Sequence, residues 1–297
     1  MTSLELADPR QSLAALLFGL PLLAALVASY RVRARSGLGY RRWALLRDSL
    51  RVAGLALLAV SAGGLYAVSV VQVPAERASV EQVMQAPSTF IVAVDLSKSM
   101  QGARIEDAKT LVEGILDSLG GNDLVVLLGF NATVYELCSG PPQECATTVD
   151  RLDTLAGGRY SAIGDAVAAA ATYARTGIPG VIVVVTDGGW NYGTPVDDAI
   201  QGAVSQGLKV VLVRVGSDGR WAGTAQIAAR AGAEVVDSSS VDVDELRELA
   251  RELALKAKID AYLDAGYVPV ETRDPRPGYL LLLLGTVLMA LGVGGRP

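Results

Sequence analysis

The sequence predicts an α/β domain built on a doubly wound, mainly parallel sheet with helices on both faces. The same chain carries three apolar segments that read as membrane helices. Three observations predict the domain. Short β-branched runs, such as Thr89-Phe90-Ile91-Val92-Ala93-Val94 and Gly180-Val181-Ile182-Val183-Val184-Val185, read as strands buried on both faces. Segments with apolar residues at helical spacing lie between the strands, and such alternation implies right-handed crossovers. Two strands run into a carboxylate, Asp95 and Asp187, followed by small polar residues. Open α/β sheets hold their ligands at the carboxyl ends of the strands.

In chain order, residues 1–11 are a short tail and residues 12–30 are almost unbroken Leu, Ala and Val. That length spans a bilayer core of about 30 Å, and Pro21 is tolerated in a membrane helix. Glu5 and Asp8 precede it against the single base Arg10, a poor signal-peptide start that favours a retained helix over a cleaved leader. Residues 31–51 form a basic loop with Arg31, Arg33, Arg35, Arg41, Arg42, Arg47 and Arg51 opposed only by Asp48. A second uncharged apolar block covers 52–73, where Ser61, Gly63 and Gly64 suit close helix packing. The positive-inside rule then places the loop in the cytoplasm and everything after the second helix outside it.

Residues 74–88 read as a linker and 89–258 as the folded domain. Ile105, Ala108, Leu111, Val112, Ile115, Leu116 and Leu119 recur at helical spacing. Leu124 to Phe130 reads as a strand, with Thr133 to Leu137 as its antiparallel neighbour through an Asn131-Ala132 turn. An Ala-rich helix over 162–175 leads to the 180–186 strand, and Pro195 opens a helix over 197–206. Strands at 208–215 and 234–236 flank a helix at 221–230. The last helix, 243–258, buries Leu246, Leu249, Leu253 and Ala257 and turns its charges to solvent. Glu248–Arg251 and Glu252–Lys256 are spaced for pairs worth only about 0.2–0.5 kcal/mol each. Residues 259–277 read as a stalk, and 278–294 as a third span at the lower edge of spanning length. A buried core helix is the other reading, but the unbroken Leu280–Leu284 run favours an anchor.

Composition excludes several chemistries. Net charge is -5, and no basic stripe lies in the domain, which argues against nucleic acid as a partner. Histidine is absent, so Ser-His-Asp and Cys-His catalysis and His-based zinc sites are excluded. Cys138 and Cys145 cannot alone make a structural zinc site; flanking the turn Ser139-Gly140-Pro141-Pro142, they are expected to form a local disulfide, which suits an oxidising compartment. Asn131-Ala132-Thr133 is a glycosylation sequon, read first as a turn.

Asp95-x-Ser97-x-Ser99 sets one carboxylate and two hydroxyls on alternate positions after a buried strand. Such ligands suit a hard divalent cation, Mg2+ or Mn2+, with positions left for water or an incoming ligand. A helix cap after a strand is the plainer reading of so short a pattern. The pattern resembles the first element of the metal-ion-dependent adhesion site of von Willebrand factor A domains. Ser161-Ala162-Ile163-Gly164-Asp165 resembles the second loop, where the family usually carries Thr in place of Ser161. Thr186-Asp187-Gly188-Gly189-Trp190-Asn191-Tyr192-Gly193 resembles the third.

The resemblance implies Ser97, Ser99 and Ser161 as hydroxyl ligands and Asp95 and Asp187 as the carboxylates, with a partner's Asp or Glu completing the shell. Asp165 would serve its own helix. Lys98 would face away from the metal or meet an acidic partner. Tyr160, Trp190 and Tyr192 beside the loops are candidate partner contacts, with core packing the other reading for each.

Beyond the metal motif, the chain resembles the membrane-anchored Bat proteins of aerotolerance operons: two N-terminal helices, one A domain and a C-terminal helix. The shared stretches include Asp95 to Met100, Arg104-Ile105 ahead of Ala108-Lys109, and Ser161 to Ala166. Bat proteins accompany MoxR-type AAA ATPases, which implies an assembly role. The segment from Met100 to Arg104 is shorter than is typical, and the cysteine loop is not a hallmark of the family. The first expectation is therefore a membrane-anchored, metal-dependent protein-binding module, multi-pass in the cell membrane with its A domain outside the cytoplasm. A Mg2+-dependent phosphoryl hydrolase using Asp95 as nucleophile is the enzymatic alternative, but that class needs an acid where this chain has Ser97, and no phosphate-cradling Gly-rich loop is present. A third reading keeps the binding module in the cytoplasm, touching an ATPase directly.

Overall fold

The computed structural model describes residues 2–6, 42–216 and 221–293. The expected first span at 12–30 lies outside the described residues, as does most of the basic loop. The chain divides into two compact units, Gln72–Val270 on one side and Met1–Val71 with Glu271–Pro297 on the other.

The chain opens with β1 (Thr2–Leu6), α1 (Arg42–Ala62) and β2 (Leu65–Pro74). The expected second span at 52–73 is thus not one helix. Gly63 and Gly64 end α1, Gly64 with φ 68°, and the β-branched residues that follow pair as a strand instead. β2 lies antiparallel to β1, from Leu6 opposite Leu65 to Thr2 opposite Ser69.

In the larger unit a short 3-10 turn (Ala75–Arg77) leads to α2 (Val80–Gln85), β3 (Thr89–Asp95), α3 (Ala103–Ser118), β4 (Leu124–Phe130) and β5 (Val134–Gly140). Then come α4 (Pro142–Val149), α5 (Leu152–Leu155), α6 (Ile163–Ala171), β6 (Gly180–Thr186), α7 (Val196–Ser205) and β7 (Lys209–Arg214). It closes with α8 (Trp221–Arg230), β8 (Glu234–Asp237) and α9 (Val243–Ala265). Last are β9 (Tyr267–Asp274) and α10 (Arg276–Val293).

The six-stranded sheet runs β5-β4-β3-β6-β7-β8, with only β5 antiparallel to its neighbour. Strand periodicity divides its side chains between two cores. Phe90, Val92 and Val94 of β3 meet α3 and α9 through Leu111, Ile115, Leu246 and Ala254. Ile91 and Ala93 meet α6 and α7 through Val167, Ala170, Ile200 and Ala203. β3 sits at the centre, buried along its whole length.

The expected stalk is absent from the larger unit's fold. α9 runs seven residues past Lys258 to Ala265, where Gly266 (φ 80°) caps it, and β9 follows. The helix continues because its core face continues: Ala257, Ala261 and Tyr262 are all buried. Lys258, expected on a solvated face, is fully buried too. Its Nζ sits 2.8 and 2.9 Å from the two carboxylate oxygens of Asp123. Elsewhere on α9 the charges do lie outside, though Arg247 and Arg251 reach Glu113 and Asp117 of α3 and Lys256 pairs with Glu234 of β8.

In the smaller unit, α1 and α10 pack against each other where two glycines meet. A Cβ on Gly54 would lie 2.8 Å from the Gly285 carbonyl, and one on Gly285 would lie 3.0 Å from the Gly54 carbonyl. Ser61 donates to the Gly278 carbonyl at 3.0 Å. The third expected span is helical from Arg276 to Val293 and exposes Leu280, Leu282, Leu283, Leu284, Val287 and Leu291. Among the described residues, no helix is long and apolar enough to cross a membrane.

Candidate metal centre

The parallel register brings three loops to one end of the sheet. Val94 of β3 lies beside Val185 of β6, so Asp95 and Thr186 emerge side by side. Asp95 has no exposed surface. Its Oδ1 accepts from the Ser97 amide at 2.8 Å, and its Oδ2 accepts from the hydroxyls of Ser161 at 2.7 Å and Thr186 at 2.8 Å. Burial pushes this carboxyl above the usual aspartate range, and the hydrogen bonds from Ser161, Ser97 and Thr186 hold it back.

Each loop is fixed by backbone or amide contacts to another. The Leu96 carbonyl accepts from Gly157 and Gly158, and Lys98 N donates to the Gly158 carbonyl at 2.6 Å. Asn191 Oδ1 accepts from Ser161 N at 3.0 Å, tying the second loop to the third. Asp165 accepts from both the amide and the hydroxyl of Thr194, at 2.9 and 2.5 Å. Gly164 leaves room for that contact: a Cβ there would lie 2.1 Å from the Thr194 carbonyl.

Asp95, Ser97, Ser99 and Ser161 are thus joined by hydrogen bonds, and Asp187, one residue past Thr186, shares Arg104 with the Ser99 carbonyl. The donor set fits a divalent cation in two respects. Ser161 gives its proton to Asp95, so its remaining lone pairs are available to a cation. The hydroxyls of Ser97 and Ser99 stand 3.1 Å apart, close to the roughly 3.0 Å edge of an octahedron with metal–oxygen distances of about 2.1 Å. Among the described residues there is no cluster of three or more His, Cys, Asp or Glu, so hydroxyl groups carry most of the site.

Asp187, also fully buried, accepts from Gly189 N at 3.1 Å and from Arg104 Nη1 at 2.7 Å. The sequence reading missed Arg104, Thr186 and Asn191. Thr186 had a signal, a hydroxyl one position before the carboxylate on the central strand; Arg104 had none beyond its place in a shared stretch. Lys98, the cation singled out beforehand, is exposed. The rings of Tyr160 and Tyr192 stand 5.1 Å apart, and each residue is about half exposed. Trp190 instead packs partly against the α6–α7 core, its Nε1 donating to the Tyr192 carbonyl at 2.9 Å. Cys138 of edge strand β5 and the buried Cys145 of α4 are disulfide-bonded, with Cα atoms 5.6 Å apart.

The model of the von Willebrand factor type A domain matches residues 90–252, more than half of the chain. This chain belongs to the von Willebrand factor type A domain family. The chain is similar in fold to several solved structures. A protein named BatB from Bacteroides thetaiotaomicron is 22% identical over 58% of this chain and 99% of its own, with a TM-score of 0.49. An aerotolerance-related membrane protein from Bacteroides fragilis is 20% identical over 57% of this chain and 99% of its own, TM-score 0.46. Proximal thread matrix protein 1 from the mussel byssus, solved with a zinc-occupied MIDAS motif, is 17% identical over 68% of this chain and 52% of its own, TM-score 0.50. No curated protein matches the chain.

Proposed function

We propose that the A domain is a divalent-metal-dependent protein-binding module that takes a partner's Asp or Glu carboxylate at its metal site. The observation that carries this reading is the convergence of Asp95, Asp187, Ser97, Ser99 and Ser161 at the end of the central strands, with the Ser161 proton directed to Asp95. Ser97, Ser99 and Ser161 would hold the ion directly, and the two carboxylates would balance its charge. Bound Mg2+ or Mn2+ would supply a Lewis-acidic position for an anionic oxygen. The mussel protein's zinc-occupied motif on the same fold is consistent with a divalent ion there. The exposed Tyr160 and Tyr192 pair and Lys98 form the rim that a partner would touch.

Binding is favoured over hydrolysis by the state of Asp95. Both of its oxygens accept hydrogen bonds and neither is exposed, so it presents no surface for a phosphoryl group to approach. Attachment to a membrane is supported by the leucine-rich exposed face of α10 and by the apolar segment at 12–30.

Calorimetric titration of the full chain with Mg2+ and Mn2+ tests the metal reading. Uptake of one ion, abolished in Asp95→Ala, is expected; no binding of either ion at millimolar concentration ends the proposal. A pull-down from detergent-solubilised membranes in Mg2+ against EDTA then reads the partner. Recovery of the same proteins in both conditions would show that capture does not run through the metal. An AAA ATPase among Mg2+-dependent captures would support the assembly role.

A further inference from the structure

Arg104 lies in the first turn of α3 and is the one cation in direct contact with the loops' carboxylates among the described residues. Its Nη1 donates to the Ser99 carbonyl at 3.0 Å and to Asp187 Oδ2 at 2.7 Å. The stem is held from behind by Gly216, where a Cβ would come within 2.7–2.8 Å of Arg104 Nε, Cδ and Cγ. The guanidinium is thus fixed against a carboxylate with no exposed surface, while its own side chain keeps 30% exposure. Lys98 differs in kind, because an exposed ammonium is screened by solvent.

Counting charge gives the consequence. Asp95 and Asp187 together neutralise a divalent ion. Arg104 adds a further positive charge; among the described residues its one carboxylate partner is Asp187, and the remaining loop carboxylate, Asp165, is engaged by Thr194 instead. A carboxylate is the ligand that restores neutrality; an amide or a hydroxyl is not. Without the ion, the same guanidinium stabilises the buried Asp187.

We propose that Arg104 is the specificity-determining residue of this site: it competes with the divalent ion for Asp187 and, in the loaded site, supplies the excess positive charge that selects a carboxylate as the outer ligand. This inference rests on the metal-binding reading above. It predicts opposite effects from one substitution. Arg104→Gln removes a like charge and frees Asp187 Oδ2, so the cation binds more tightly, and it removes the excess charge, so the carboxylate binds more weakly. A residue that merely braces the loop would, when lost, weaken both.

The test uses the full chain, Arg104→Gln and Arg104→Lys, titrated with Mn2+ and with Mg2+. The Mn2+-loaded proteins are then titrated with a short Asp-containing peptide and its Asn counterpart. Arg104→Gln is expected to bind Mn2+ roughly fivefold or more tightly, the effect of a partly exposed ion pair with one buried end. It should also show a larger Mn2+-induced rise in melting temperature and lose the preference for Asp over Asn. Arg104→Lys, which keeps the charge, should keep the preference. Equal or weaker Mn2+ binding by a folded Arg104→Gln, or a retained Asp preference, overturns the role of Arg104 while leaving the metal site standing. Failure of the unsubstituted chain to bind either ion overturns the metal reading itself, and this inference with it.

Discussion

Asp95 and Lys258 are both buried charged side chains, and they stand at opposite ends of β3's neighbourhood with different fates. Asp123 accepts from Ser88 N at 2.9 Å, Ser88 Oγ at 2.6 Å, Gly120 N at 2.9 Å and Lys258 Nζ, so every oxygen of the pair is used. Burial holds the Lys258 ammonium below the usual lysine range, and Asp123 offsets part of that shift. Lys258→Met leaves the Asp123 carboxylate buried without its cation, and a loss of about 3–5 kcal/mol is expected in urea unfolding. A loss under 1 kcal/mol would mean that the hydrogen bonds from Ser88 and Gly120 suffice by themselves. Asp95 has no ion-pair partner among the described residues. Its pKa is raised, so the folded chain holds this proton more tightly than the unfolded chain does. The carboxyl's contribution to stability is greatest in acid and declines as pH rises through the window between the two pKa values. At a pH where Asp95 is protonated, a metal ion must displace that proton. Affinity for Mn2+ should therefore begin to fall while the pH is still above the ordinary aspartate range, with proton release visible as a buffer-dependent binding enthalpy. A flat affinity down to that range would show that Asp95 is already ionised.

At the scale of elements, the loops are placed by packing that leaves little slack. Gly164 of α6 faces the Thr194 carbonyl so closely that a methyl group cannot enter without moving the third loop. Gly164→Ala is expected to cost about 1–3 kcal/mol and to weaken Mn2+ binding, because Asp187 and Asn191 lie on the displaced segment. Unchanged Mn2+ affinity in a destabilised variant would confine the role of Gly164 to packing. The motif glycine, the strand-end carboxylates and the serines were all legible as residues, since each combines an unusual spacing with a strand that only one period explains. The strands were legible because runs such as Gly180 to Thr186 are buried on both faces. Lys258 and Arg104 were not, because burial of a long cation depends on a partner distant in sequence: Asp123 is 135 residues from Lys258, and Asp187 is 83 from Arg104. β2 was misread for a similar reason. Leu65 to Val73 is apolar enough for a membrane helix, and its sheet pairing and the Gly63-Gly64 stop decide for a strand. On α1, Gly54 carries the close helix contact that had been assigned to Gly63 and Gly64.

For the whole molecule, an extracytoplasmic A domain is a proposal that the cysteines can test. The expected topology counted 52–73 as a span, and the structure divides that stretch between a helix and a strand. The Cys138–Cys145 disulfide carries more weight, since such bonds persist in oxidising compartments. It closes a short loop at the sheet edge, and its removal in Cys138→Ser with Cys145→Ala should cost about 2–2.5 kcal/mol by the chain-entropy relation. The bond also consumes the chain's two cysteines, so an added cysteine is the single free thiol. Gln201 on α7 is exposed and stands in none of the three metal loops. Gln201→Cys is therefore expected to react with a membrane-impermeant maleimide on intact cells, which would place the A domain outside the cytoplasm with its metal site facing extracytoplasmic partners. Labelling only after lysis, together with two alkylated native thiols in intact-mass analysis without reductant, would place the domain in the cytoplasm. The partner would then be sought among cytoplasmic assemblies, with the metal chemistry of the loops unchanged.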